Sequence, residues 1–192
     1  MEVTQKCRKH KGGCKMSLVY FHPVKSGKGS MASFDLQRAR NGEEGWIWAS
    51  IAKQTEEGSN KKFDFKKRRI TKLGLTDITK ILYGIRTKAK EITLIHSFQD
   101  SKTVITWKRV LNEKRHFAGY YFNIAGHSIR LTPEELYGTC KMLDTAIPLL
   151  VSWEREERSS VFEDRQQGQE KNREEEEVIT KEKIEEEEQW PE

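Results

Sequence analysis

Residues 63–85 read FDFKKRRITKLGLTDITKILYGI, and within this stretch the hydrophobic period changes. FDFKKRRITKL (63–73) opens with apolar and charged residues in alternation, the period-two pattern of a half-buried strand. From Ile78 the period is helical: Ile78, Ile81, Leu82 and Ile85 share one face, and Thr76 is placed to act as the N-cap. A strand running straight into an amphipathic helix is therefore expected here, and the rest of the chain can be arranged around that junction.

Upstream lie three runs of β-formers. SLVYFHP (17–23) is followed by a turn carrying Gly27 and Gly29, and MASFDLQR (31–38) and GWIWASIAKQ (45–54) are separated by Asn41-Gly42. Downstream come EITLIH (91–96), KTVITWKRV (102–110) and FAGYYFNIA (117–125), with the short HSIRL (127–131) as a fourth. The order is four strands and a helix, twice over. Alternating strands of this kind predict antiparallel sheets with one solvated face.

The second helix opens at Thr132-Pro133-Glu134-Glu135, a capping threonine, a proline at the first helical position and a glutamate at the third. Leu136, Cys140, Leu143, Ile147 and Leu150 form one apolar stripe; Met142, Ala146, Leu149 and Trp153 form another, displaced by roughly 110°. Together they exceed the ~100° that one packing partner needs. Either the helix is deeply buried within a monomer or, the favoured reading, it meets its own sheet with one stripe and a neighbouring subunit with the other.

Charge is divided along the chain. Residues 154–192 hold 16 acidic and 7 basic side chains, a balance of −9, whereas the preceding 153 residues hold 28 basic and 14 acidic, a balance of +14. A basic body with an acidic tail is expected of a protein that handles polyanions. No apolar run approaches a membrane span, and MEVTQKCRKHKGGCKM (1–16) lacks the apolar region of a secretory signal. Three cysteines do not make a disulfide framework. A cytoplasmic protein is expected, nucleoid-associated if prokaryotic. Three parts follow: a basic segment 1–16, a folded domain 17–153, and an acidic tail 154–192 that is disordered or a solvated helix.

Catalytic patterns are weak. Ser26-Gly27-Lys28-Gly29-Ser30 fails the phosphate-loop rule because Gly29 separates Lys28 from Ser30. His22, His96, His116 and His127 sit beside no sequence-adjacent nucleophile or paired carboxylate. Cys7, His10 and Cys14 are spaced C-x2-H-x3-C, with His22 as a conceivable fourth ligand, but the spacing matches no standard zinc finger. Neither metal, cofactor nor catalysis is expected.

Nucleic-acid binding has the broader support. Single strands are held by cations along the phosphates and aromatic faces under the bases. Trp46 and Trp48 fall on one side of a strand; Phe63, Phe65, Lys67 and Arg69 share a parity, as do Trp107 and Arg109, with Lys108 opposite. Of Tyr120 and Tyr121, one must face out, and Tyr121 is assigned that position. KKFDFKKRRITK (61–72) holds seven basic residues and one acid. Lys53 and Lys28 complete the candidate contact set.

FDFKKRRITKLGLTDI (63–78) resembles the Whirly family of single-stranded nucleic-acid-binding proteins, whose YDW-type strand runs into a helix of the LSVTEIG kind. EITLIHS (91–97) is similar to the family's CEFFHD strand, GYYFNIA (119–125) to its FFNLSV strand, and LTPEELYGTCKMLDTAIPLLVSW (131–153) to its final helix. SLVYFHP, MASFDLQR and GWIWASIAKQ fall where its first three strands belong, so the resemblance spans 17–153. It implies two four-stranded antiparallel sheets packed crosswise with two helices, a pinwheel homotetramer with helices at its centre, and strands lying along the sheets. The family's KGKAALT motif has only a displaced counterpart in SGKGSMAS (26–33), which carries over weakly to Lys28. The expectation is a sequence-tolerant single-stranded DNA-binding protein of replication, recombination or repair. An RNA-binding or RNA-annealing protein of the same fold, or a regulator acting on melted promoters, is the alternative. The tail, ending in Gln189-Trp190-Pro191-Glu192, is expected to regulate binding and to recruit replication or repair proteins through Trp190.

Overall fold

A computed structural model describes residues 8–10, 13–38, 44–55, 62–99, 101–156 and 158–159. After a small hairpin of β1 (Arg8–His10) and β2 (Gly13–Lys15), the chain lays down β3 (Ser17–His22), β4 (Ser30–Gln37), β5 (Trp46–Lys53) and β6 (Arg69–Leu73). Helix α1 (Leu75–Arg86) follows, then β7 (Glu91–Phe98), β8 (Ser101–Leu111), β9 (Phe117–Ile124) and β10 (His127–Leu131). Helix α2 occupies residues 133–156. Each set of four strands forms its own antiparallel sheet, ordered β3-β4-β5-β6 and β10-β9-β8-β7. These are the two four-stranded sheets and two helices expected from the alternation.

The sheets meet through their inner faces. Phe34 of the first stacks on Phe122 of the second at 5.4 Å, and Phe122 stacks on Trp107 at 4.4 Å. Around them Ile47, Ile51, Leu73, Ile105, Ile124 and Leu131 are withdrawn from solvent. Strand β10 touches both β4 and β5, and β9 touches both β5 and β6, so each strand passes over more than one strand of the opposing sheet. That is a crosswise packing.

The helices close the flanks. In α1, Ile78, Ile81 and Leu82 enter the core as their spacing requires. Gly84 lets the helix approach β7, because a Cβ there would lie 2.5 Å from Ile92 Cγ1. The N-cap is Gly74 rather than Thr76: the helix starts two residues earlier, and the Asp77 carboxylate accepts the Gly74 N–H at 3.2 Å. The capping box of α2 forms in both directions, Thr132 N–H to Glu135 Oε2 at 2.9 Å and Glu135 N–H to Thr132 Oγ1 at 3.3 Å. Tyr20 then fixes α2 to the first sheet by donating to the Glu135 carbonyl at 2.7 Å, and burial raises its phenol to a pKa of about 12.

Several expectations are corrected. Strand β6 begins only at Arg69, because Asp64 accepts the N–H groups of Lys66 and Lys67, both at 3.0 Å, and curls the preceding residues into a turn. The two stripes of α2 are a single broad buried face. Met142 and Ala146 lie in the core of their own domain, and Leu149 and Trp153 pack half-buried against it. The helix also runs past Trp153. The side chains of Cys7, His10 and Cys14, the Asn41-Gly42 turn, and the tail with Trp190 lie outside the described residues. No helix among the described residues is long and apolar enough to cross a membrane.

Trp107 is the residue on which the sheet contact can be tested, being fully buried between the sheets. Trp107→Ala is expected to lower the unfolding free energy by about 3–5 kcal/mol, read from the midpoint of urea denaturation.

Candidate nucleic-acid interface

Burial of one face of each sheet fixes what the other presents. On the second sheet the outward residues align in register across its strands. One row is Glu91, Lys108, Tyr121 and Arg130; the next is Thr93, Thr106, Asn123 and Ser128; the third holds Ile95 and Val104. Successive rows are about 7 Å apart, two residues along a strand. Tyr121 is 46% exposed and Ile95 62% exposed, and Lys108 and Arg130 are open to solvent. The surface therefore offers, in order, a cation–aromatic row, a hydroxyl and amide row, and an apolar row.

Flanking turns add charge at the first row. Lys88 and Lys90 lie in the turn before β7, and Lys114 and Arg115 at the tip joining β8 to β9. That tip is braced: Asn112 N–H donates to the His116 carbonyl at 2.8 Å, and the Asn112 side chain accepts the His116 N–H at 2.8 Å. Arg130, in register with Tyr121, donates to the Ala118 carbonyl at 3.0 Å at the edge of the sheet. The charge here is positive, with Glu91 and Glu113 the acids of the row and tip.

The outer face of the first sheet is narrower. Phe63 folds back onto it, its ring 5.6 Å from that of Phe21, and with Met31 and Ala52 seals one end. At the other end Trp46 and Trp48 meet edge to face at 5.9 Å, and Lys72 Nζ lies 3.8 Å from the Trp46 ring centre. Trp48 is 38% exposed. Asp35 pairs in register with Trp48, so this face has no comparable excess of positive charge.

The sequence-derived residues divide accordingly. Tyr121, Trp46 and Trp48 stand on outer faces, and Phe65 is exposed in the turn after Phe63. Trp107 and Phe63 are buried, which removes both rings as stacking surfaces for a base. Arg109 shares the inward parity of Trp107; its guanidinium sits 5.7 Å from the Phe117 ring and donates to the Lys88 carbonyl. Lys53 and Arg69 also have inward parity and emerge at the open end of the sandwich. Lys28 is exposed in the loop between β3 and β4, which Gln54 holds by accepting the Val24 N–H at 2.9 Å and the Gly29 N–H at 3.1 Å. Lys108, Arg130 and Lys72 were missed. Once Trp107 is assigned to the core, the parity of β8 turns Lys108 outward.

Two histidine contacts invisible in sequence also form. His22 lies 2.7 Å from Glu135, and His96 bridges Thr71 at 3.1 Å and Asp77 at 3.0 Å. Each joins a strand to a helix. No group of three or more His, Cys, Asp or Glu side chains suited to a metal occurs among the described residues. A cavity of about 490 Å³ between β3 and α2, lined by residues such as Leu18, Tyr137 and Met142, shares no residue with the outer rows.

No protein-family model matches the chain, and no curated protein matches it. Among solved structures, WHY1 from Arabidopsis thaliana superposes with a TM-score of 0.52 at 15% identity, covering 73% of this chain and 90% of that one. The fold is that of the Whirly proteins. The plant transcriptional regulator PBF-2 is similar at a TM-score of 0.47 and 15% identity, over 83% of this chain and 95% of that one. The trypanosome proteins MRP1/MRP2 are similar at 0.46 and 11% identity, over 68% and 91%. At such identities the Whirly likeness is one of backbone, so the ligand must be argued from the side chains that this chain places on its own Whirly sheets.

Those side chains give a separable expectation. Tyr121→Ala should weaken binding of a single-stranded 30-mer by about 1–3 kcal/mol, or roughly fivefold to 150-fold, if one base stacks on the ring. Lys108→Gln should flatten the salt dependence by about 0.7 in log–log slope. Trp48→Ala, on the other sheet, should have the smaller effect in the same titration.

Proposed function

We propose that the protein binds single-stranded nucleic acid, without sequence selection, across the outer face of its second sheet. The observation that carries this is the row Lys108–Tyr121–Arg130, aligned on three adjacent strands and uncovered by either helix. A cation on each side of an exposed ring is the arrangement that takes a phosphate, a base and a phosphate in sequence. The Whirly fold and the +14 body support the same reading. Single-stranded DNA, in replication, recombination or repair, is the first assignment. RNA is the second, favoured by the row Thr93, Thr106, Asn123 and Ser128, whose hydroxyls and amide can bond a 2′-hydroxyl. The role proposed is binding rather than catalysis, since His22 and His96 serve to tie strands to helices.

Two further proposals concern assembly and control. A homotetramer, implied by the family resemblance, would now depend on Leu149 and Trp153, which remain half-buried on α2. Size-exclusion light scattering should give about four times the 22.5 kDa chain mass, and Leu149→Glu should lower it; a monomer for the unaltered protein removes the assembly from the proposal. The acidic tail is proposed to compete for the cationic rows, over a range of roughly 8 Å at physiological salt, and to present Trp190 to partner proteins once displaced.

Binding of a mixed-sequence 30-mer as DNA, as RNA and as DNA duplex, at matched salt, tests the main reading. Single strands should bind more tightly than duplex, with a log–log salt slope of about −0.7 per phosphate contacted. Deletion of residues 154–192 should tighten binding at low salt. Duplex binding as tight as single-strand binding defeats the proposal, and the tighter of the DNA and RNA arms decides between them.

A further inference from the structure

At one end of the sandwich, residues distant in sequence converge on the β9–β10 turn. Lys53 closes β5 and Arg69 opens β6, both on the inward parity of their strands but past the end of the core, where both are exposed. His127 opens β10, the strand that packs across β4 and β5, and lies within the fields of Lys53 and Arg69 and beside the Lys67 main chain. The turn at 64–67 brings Lys66 and Lys67 to the same end, and Asp64, its acid, is occupied in capping their N–H groups. Among the described residues no carboxylate forms an ion pair with Lys53 or Arg69. Both cations are exposed, so an anion from solution can reach them.

Nothing in the core explains the grouping. The side chains have left the apolar layer, and the parity that points Lys53 and Arg69 inward also keeps them off both outer faces. The cluster lies around the β10 edge from Ser128, the last member of the hydroxyl and amide row. A strand crossing the second sheet at right angles to its β-strands leaves the surface at this edge.

We propose that Lys53, Arg69 and His127 form a binding site for a phosphate monoester, the terminal phosphate of a nucleic-acid strand held on the second sheet. The inference rests on the strand-binding reading, and free phosphate shares the same chemistry. Charge favours the monoester over an internal diester: a monoester bears about −1.5 to −2 near neutrality, which two fixed cations and a protonatable imidazole match. Burial, then Lys53 and Arg69, lower the His127 pKa from 6.5, while the Lys67 main chain opposes the shift. A bound dianion reverses the sign of the local field and favours the imidazolium. Anion affinity therefore rises as pH falls toward the lowered value, provided the anion keeps its own charge.

The test is titration of His127 by NMR in the full chain, with chloride at matched ionic strength as the control. Inorganic phosphate, sulfate, and the same oligonucleotide with and without a 5′- or 3′-phosphate are the probes. Phosphate and a terminally phosphorylated strand should each move the His127 midpoint upward beyond the chloride control. The phosphorylated strand should bind about tenfold more tightly than the unphosphorylated one, one added charge-assisted contact. Sulfate, whose charge is constant, should bind more tightly as pH falls. Lys53→Met with Arg69→Met should abolish the upward shift, and circular dichroism checks that this variant folds. A midpoint that moves no more than in chloride, or moves equally in the double variant, overturns the site. Equal effects of phosphorylated and unphosphorylated strands overturn the monoester assignment. A His127 response to inorganic phosphate in a protein that binds no strand keeps the site and rejects the strand-binding reading alone.

Discussion

The contact between Phe34, Phe122 and Trp107 is the constraint from which the rest of the molecule follows. Strands whose inner side chains are committed to a common aromatic stack have no freedom to slip by one residue in their pairing, since the slip would turn those core side chains to solvent. The register of β7 to β10 is fixed on the inner side and inherited on the outer. The outer rows are thus placed by packing energy that has nothing to do with any ligand. A site built in this way is rigid before anything binds, which reduces the ordering cost of association.

The same constraint makes the sheets unequal. Residues 62–67 fold over one end of the first sheet and sacrifice it to a small apolar cluster of Phe21, Met31, Ala52 and Phe63. The second sheet has no such cover and keeps its three rows open. The helices do not compete for that space because their apolar faces are satisfied at the flanks, α1 through Ile78, Ile81 and Leu82, and α2 through Leu143, Ala146 and Leu150. Arg86 and Asp144, 2.6 Å apart, join the helices to each other.

Much of this was legible in the sequence. Alternation in SLVYFHP, GWIWASIAKQ and FAGYYFNIA placed strands, the helical spacing after Gly74 placed α1, and Thr132-Pro133-Glu134-Glu135 placed the start of α2. Parity showed that Tyr120 and Tyr121 could not both be buried. Parity cannot say which side is in, and this is why Trp107 was read outward and Lys108 was passed over. Aromatic residues satisfy both readings, since a ring that suits a base also suits a core. The two stripes of α2 misled for a related reason: a helix wedged against a crossed pair of sheets meets more than one partner within its own chain. Lys53, Arg69 and His127 were beyond sequence altogether, because only the crossing of the sheets brings β5, β6 and the β9–β10 turn together.

The division of the tryptophans between the two environments makes the protein its own optical reporter. Trp107, packed against Phe122 and shielded from water, emits in the blue of the indole range and is out of reach of collisional quenchers. Trp48 looks into solvent from the opposite sheet and emits further to the red. A ligand lying only on Tyr121 and its neighbours leaves the Trp48 share of the red band in place, whereas one spread over both sheets dims it. The red emission lost in the unaltered protein but not in Trp48→Phe therefore tells whether the first sheet is occupied, with no label attached to the molecule.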